Sequence, residues 1–119
     1  MKAETLVCMF AHKTNSNGIE MLSNKQSRFT RMVGLLITFA TLRGYDLTFG
    51  DAYATFGHMV NSLHYSRLAV DFNLFKDGKY LTSTESHKPL GLYWESLGGS
   101  WGGRFGDGNH YSLEHQGRR

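Results

Sequence analysis

Apolar residues recur at helical spacing in the first half of the chain. Between residues 24 and 43 they fall on one stripe, formed by Phe29, Val33, Leu36, Ile37 and Ala40. Ser23 and Gln26 have the spacing of a capping box at the start of this segment, and Gly44 is suited to end it. The pattern predicts an amphipathic helix whose stripe packs on a sheet.

Strict alternation of apolar and polar positions predicts a strand from Leu68 to Leu74. Asp71 is expected on the face opposite the apolar side chains, because successive side chains of a strand point to opposite faces. Asp77-Gly78 favours a hairpin turn into residues 79–81. Residues 45–49 and 110–115 are interpreted as two further strands.

Pro89 and Gly98 frame a second, shorter helix, since proline is favoured at the start of a helix and glycine just past its end. The predicted fold class is therefore α+β: a small, mainly antiparallel sheet with helices packed on one face and the candidate site on the other. Residues 1–20 show no sustained periodicity and are interpreted as an N-terminal arm. Residues 21–119 are interpreted as a single catalytic domain, with Met21 open as an alternative start.

Composition narrows the class of protein. The single cysteine, Cys8, excludes an internal disulfide framework and any cysteine-rich zinc site. A net charge of +3 with scattered basic residues suits any polyanion, including nucleic acid or an anionic cell wall, so it discriminates poorly; a solvated surface is the ordinary explanation, and no nucleic-acid partner is expected. No apolar run approaches the length of a membrane span. No signal-peptide pattern is evident, so the chain is expected to be cytoplasmic as synthesised.

The glycine-rich segment 98–108 lacks the Gly-Lys-Ser/Thr ending of a phosphate-binding loop, so it does not predict nucleotide binding. It is interpreted as a series of tight turns beside a site.

Two histidines and two aspartates suit a catalytic zinc site. Such sites take three protein ligands and keep a further position for water. His64, Asp71 and His110 fit the ligand role, and Asp107 fits that of a general base. Each residue alone is more often an ordinary half-buried histidine or a hydrogen-bonding carboxylate. The remaining histidines are expected not to contact a metal: His12, His58, His87 and His115.

The order and spacing of these residues resemble a family of zinc metallopeptidases that cleave peptidoglycan stem peptides. Ser62, His64, Ala69 and Asp71 are in register with its first motif, Ser-x-His-x-x-Gly-x-Ala-x-Asp. An acidic residue, two further residues and a histidine form its second motif, matched by residues 107–110. The family includes D-Ala-D-Ala carboxypeptidases of the VanY type and phage L-alanyl-D-glutamate endolysins. The resemblance covers about residues 21–119.

The resemblance implies a role for each matching residue. It implies that His64, Asp71 and His110 bind Zn²⁺ and that Asp107 is the catalytic base, while Ser62 orients the first ligand through a hydrogen bond. Arg67 stands where the first motif has glycine. Ala54 follows the Asp51-Ala52-Tyr53 segment, where many relatives carry an arginine nearby. Arg67 and Arg104 are therefore the candidates for stabilising the oxyanion or contacting the substrate.

Asp rather than Glu at the base position resembles the endolysin branch. The expected function is hydrolysis of an amide bond in the peptidoglycan stem peptide, the L-Ala-D-Glu bond in a phage lysis setting. A D-Ala-D-Ala carboxypeptidase is the nearer alternative, and a catalytically inert zinc-binding interaction module is an alternative of another class. The protein is expected to be a monomer that reaches the cell wall after release by another factor.

Overall fold

The computed structural model describes residues 21–51 and 62–119. In this part of the chain two helices, α1 (Leu22–Leu42) and α2 (Lys88–Ser96), accompany a five-stranded sheet. Its strands are β1 (Tyr45–Asp51), β2 (Ala69–Lys76), β3 (Lys79–Leu81), β4 (Ser100–Trp101) and β5 (His110–Ser112). The predicted arm at residues 1–20 lies outside the described residues, as do His58 and the Ala52–Ala54 segment.

Helix α1 begins earlier than the sequence pattern indicated, and the predicted capping box is wrong. Met21 is the N-cap residue, no side-chain cap bond forms, and Ser23 lies inside the helix. The Gln26 amide instead donates a hydrogen bond to the backbone carbonyl of Ser66, at 2.9 Å. Gln26 therefore ties the helix to the turn that precedes β2.

The apolar stripe of α1 forms one wall of the hydrophobic core. Its buried apolar residues are Phe29, Met32, Leu36 and Ala40, and Val33 and Ile37 pack against them partly buried. Gly44 follows the helix with a φ of +83°, a left-handed conformation that glycine adopts without steric cost, so the predicted helix stop is confirmed. Neither helix of the described segments combines the length and hydrophobicity required to cross a bilayer.

Strand β2 is the centre of an antiparallel sheet. Strand β1 pairs along one edge of β2, while β5 and β3 share the other edge, beside residues 69–71 and 74–76 respectively. Strand β4 extends the sheet beyond β5. The β2–β3 hairpin turns at Asp77 and Gly78, which both have positive φ, as the sequence predicted. The final strand ends at Ser112, earlier than residue 115.

Both helices pack on one face of this sheet, which confirms the predicted α+β architecture. Val70, Phe72 and Leu74 are buried in the same core as α1 and α2. The Trp94 ring of α2 makes edge-to-face contacts with Phe29 of α1 and Tyr111 of β5. Alternation along β2 directs Asp71 to the opposite face.

Candidate metal centre

Asp71 and His110 meet because they are direct neighbours across two antiparallel strands. Asp71 of β2 is the register partner of His110 of β5, so both side chains project from the same face of the sheet. The His110 Nδ1 atom lies 3.1 Å from the Asp71 Oδ1 atom. His110 is buried, and the Asp71 side chain is partly exposed.

His64 reaches the same carboxylate from a turn. Consecutive backbone hydrogen bonds coil residues 62–68 before the chain enters β2. The His64 Nε2 atom lies 3.3 Å from Asp71 Oδ1, and the rings of His64 and His110 are 5.2 Å apart between centroids. His64 is only 2% exposed, so the surrounding protein fixes its ring in this position.

The backbone of this turn is held at both ends. The Ser62 hydroxyl accepts a hydrogen bond from the backbone N–H of His64, at 3.3 Å. Ser62 therefore contacts the main chain of the first candidate ligand and not its imidazole ring. The Gln26 amide of α1 donates to the Ser66 carbonyl on the other side of the turn. These bonds fix where the His64 side chain leaves the backbone.

Arg67 lies at the end of the turn in a conformation that favours glycine. Its φ is +57°, in the left-handed region where an ordinary L-residue costs roughly 1–2 kcal/mol. Glycine, the residue of the family motif at this position, adopts this conformation without that cost. Arg67 therefore occupies a backbone conformation that glycine, the motif residue at this position, would adopt without strain.

Replacing Arg67 by glycine is expected to stabilise the protein. Glycine removes the conformational strain of Arg67 in the folded state but raises the conformational entropy of the unfolded chain. Because the first free-energy term is the larger, the free energy of unfolding should rise by about 0.5–1 kcal/mol. Urea unfolding of wild type and variant measures the difference. Arg43→Gly is the matched control, because Arg43 has a φ of −95° and should only lose stability. Equal losses in both variants would contradict the assignment of strain to Arg67.

The three side chains form a donor set that fits a metal ion. One ligand atom from each of His64, Asp71 and His110 lies within 4.8 Å of the others. Ligands about 2.0–2.2 Å from a tetrahedral zinc ion are about 3.3–3.6 Å apart. The two nitrogen–oxygen separations of 3.1 and 3.3 Å are close to the lower end of that range. Burial would raise the pKa of the Asp71 carboxyl, but hydrogen bonds and charge interactions with His110 and His64 lower it to about 2. Asp71 is therefore ionised, as a ligand must be.

A short turn places Asp107 next to this donor set along the chain. The backbone N–H of His110 donates to the Asp107 carbonyl, and the Asp107 N–H donates to the carbonyl of Gly102. The indole N–H of the buried Trp101 donates to the Gly108 carbonyl, at 2.8 Å. The turn is therefore anchored by its backbone while the Asp107 side chain is exposed.

Gly102 is expected to be necessary for this turn. A β-carbon there would lie 2.3 Å from the Asp107 carbonyl oxygen and 2.7 Å from the His110 β-carbon, so the turn would have to move. Gly102→Ala should lower the free energy of unfolding by about 1–3 kcal/mol, measured by urea unfolding. Gly34→Ala is the matched control: its β-carbon meets nothing within 4 Å, and it should gain about 1 kcal/mol within helix α1. A Gly102→Ala protein as stable as wild type would contradict this packing.

Arg104 has a different environment from the one expected. Its guanidinium forms a two-pronged ion pair with the Glu95 carboxylate, with N···O distances of 2.8 and 2.6 Å. Those hydrogen bonds also lower the pKa of Glu95. Arg104 is thus bound to the end of helix α2, whereas Arg67 lies in the His64 turn. Contact of either arginine with substrate stays a prediction.

Sequence reasoning assigned no function to His87 and Tyr111, and the structure brings them together. His87 Nδ1 lies 2.8 Å from the Tyr111 hydroxyl, and both side chains are buried. Tyr111 follows the candidate ligand His110 directly, and His87 also lines a cavity that Asp107 borders. The contact joins residues 24 positions apart, so no local pattern indicated it.

Burial of His87 makes folding stability depend on pH. Burial lowers the pKa of His87 to about 4, against about 6.5 in an unfolded chain. Between these values the unfolded state binds a proton that the folded state does not, so stability falls as pH falls. The loss from pH 7 to pH 4 should be about 3 kcal/mol. Urea unfolding with a chelator present, compared between wild type and His87→Gln, isolates this contribution; parallel pH profiles would contradict it.

A comparison with protein families bears on the class of this site. Residues 57–113 match a family model described as D-alanyl-D-alanine carboxypeptidase. Over this range the chain is similar to that peptidase family. The matched range contains His64, Asp71, Asp107 and His110, so all four positions that the sequence analysis singled out for metal chemistry lie inside it. No curated protein matches the chain.

The D-alanyl-D-alanine carboxypeptidase match is narrower than the resemblance inferred from the motifs. It begins after β1 and ends just after β5, so it takes in β2–β5 and α2 but leaves out α1. Helix α1 nonetheless contacts the matched segment through the Gln26–Ser66 hydrogen bond and the shared core. The matched segment thus packs against a helix that the family match does not include.

Proposed function

We propose that this protein is a zinc-dependent peptidase that hydrolyses an amide bond in the peptidoglycan stem peptide. The observation that carries the proposal is the convergence of His64, Asp71 and His110 on one point within the segment that matches a peptidase family. Two imidazoles and one carboxylate form a ligand set typical of catalytic zinc, which leaves a position for water.

The proposed zinc ligands are His64, Asp71 and His110. When bound, zinc supplies Lewis-acid chemistry, since it lowers the pKa of a coordinated water from 15.7 to about 7 and polarises a carbonyl. The protein itself fixes the donor atoms: β2 and β5 hold Asp71 and His110 in register, and the hydrogen-bonded turn of residues 62–68 holds the buried His64. This rigidity favours a catalytic ion held in one geometry.

Asp107 is the proposed general base. Its carboxylate is solvent-exposed at the turn that leads into His110, where substrate and water have access. In the proposed reaction it accepts a proton from the attacking water and passes it to the leaving amine, a role typically worth 10² to 10⁴-fold in rate. Arg67, in the turn beside His64, and Arg104, which pairs with Glu95, are the proposed candidates for stabilising the oxyanion.

The proposed bond is the amide between L-Ala and D-Glu. The support is the aspartate at the base position, which resembles the phage endolysin branch of the family. We propose accordingly that the protein acts in phage lysis as a monomer, on the cell wall, once another factor has released it. The second candidate is a D-Ala-D-Ala carboxypeptidase, favoured by the description of the matching family.

Digestion of purified peptidoglycan tests the proposal. Zinc-loaded protein is incubated with the polymer, and new termini are identified by mass spectrometry, with chelator-treated protein and His110→Ala as controls. New N-terminal D-Glu is expected. Released D-Ala would select the carboxypeptidase. Bound zinc without any product would refute a peptidase acting on this polymer and favour an inert zinc-binding module.

A further inference from the structure

A cavity of about 180 Å³ opens beside Asp107. Strands β3 and β5 pair with the same edge of β2, one after the other along it. The cavity lies between the end of β3 and the turn that leads into β5. The polar side chains that line it are Tyr80, Thr82, Thr84, His87, Asp107 and Asn109. Asp107, the proposed base, is the residue that this cavity shares with the proposed site, since His64, Asp71 and His110 do not line it. A part of the substrate bound here would lie beside the base and away from the metal.

The chemistry of the lining favours an uncharged polar group. Hydroxyl and amide groups both donate and accept hydrogen bonds, and among the described residues the lining includes no lysine or arginine. His87 does not supply a positive charge at neutral pH, since burial lowers its pKa to about 4. Its Nδ1 is engaged by Tyr111, so Nε2 is the nitrogen it has for a ligand. The carboxylate of Asp107 adds a negative charge at the rim.

A free carboxylate would therefore be disfavoured in this cavity. It would have no cation among the described lining residues to pair with, and it would lie near a second carboxylate. A carboxamide of the same shape avoids both costs and can use the hydroxyl, amide and imidazole groups of the lining.

We propose that this cavity is a specificity subsite, which takes a carboxamide in preference to a carboxylate on the residue that flanks the cleaved bond. The inference rests on the proposed function and adds a substrate class to it: stem peptides in which this carboxyl is amidated. Thr82 is the residue through which it can be tested, because it is exposed directly after β3 and lines the cavity.

The test uses two synthetic stem peptides that differ only in this group, a free carboxyl in one and its amide in the other. Wild-type, zinc-loaded protein should cleave the amide with a kcat/KM at least tenfold higher, mostly through a lower KM. Thr82→Lys places an ammonium at the rim and should reduce this ratio by tenfold or more. Thr38→Lys adds the same charge on the exposed side of α1 and should leave the ratio unchanged.

Equal cleavage of the two peptides, or a wild-type preference for the free carboxyl, would overturn the proposal. A preference for the amide that Thr82→Lys leaves unchanged would also overturn it, because discrimination would then lie outside this cavity. Should neither peptide be cleaved, the proposed function itself fails. The cavity is then tested by calorimetric titration of both peptides into wild type, where tighter binding of the amide is expected and equal Kd values would refute it.

Discussion

Alanine in place of His64 or of His110 is expected to abolish stoichiometric zinc binding. Each imidazole supplies one of three ligand atoms that converge within 4.8 Å, and a site left with two protein ligands loses most of its affinity. Asp71→Asn should lose the metal as well, because the ionised carboxylate lies between both histidines. Atomic absorption on purified protein should find about one zinc per wild-type chain and little in the variants.

His115→Ala is the matched control for these variants. The His115 Nδ1 atom lies 3.3 Å from the Lys25 Nζ atom, and His115 is not part of the group formed by His64, Asp71 and His110. Its removal should therefore leave the zinc content at the wild-type value. Circular dichroism should show that all variants are folded. Full zinc content in both the His64 and the His110 variants would refute the ligand assignment.

Asp107→Asn should separate proton transfer from metal binding. Asparagine keeps the size of the side chain, and the backbone bonds of the turn to Gly102 and His110 do not depend on the carboxylate. Zinc content and folding should therefore stay near wild type, while kcat falls by about 10² to 10⁴-fold because the general base is lost. The measurement is the initial rate of stem-peptide cleavage by zinc-loaded protein.

Asp77→Asn is the control for the change in charge. Asp77 lies in the β2–β3 hairpin turn with a φ of +51°, a conformation that asparagine also tolerates, so rate and stability should change little. Undiminished activity of Asp107→Asn would mean that Asp107 serves only the turn. The base would then have to be sought elsewhere, with Glu114 the first residue to examine.

Local pattern was sufficient to predict the elements that carry the site. Alternation along β2 follows from the two-residue period of a strand, so the sequence alone placed Asp71 opposite the apolar face. Some boundaries depend on the backbone conformation of only one or two residues and were therefore predictable. They are the end of α1 at Gly44, the hairpin turn at Asp77-Gly78 and the start of α2 at Pro89. The motif spacing likewise selected the three residues that the structure brings together.

Features that depend on distant contacts were not predictable from the sequence. Gln26 had the spacing of a capping residue, yet its amide bonds to Ser66, 40 positions away. Arg104 was expected near the substrate, and its pairing with Glu95 depends on how α2 packs beside the glycine-rich segment. The cavity beside Asp107 arises because β3 and β5 share one edge of β2, which is a property of topology and leaves no local sequence signal.

The central claim is that one zinc ion binds between His64, Asp71 and His110. Diffraction data from zinc-loaded crystals, collected on either side of the zinc absorption edge, test it most directly. We expect one anomalous peak per chain, about 2.0–2.2 Å from a nitrogen of each histidine and from an oxygen of Asp71. No peak at this position, or a zinc ion held only by other residues, would contradict it.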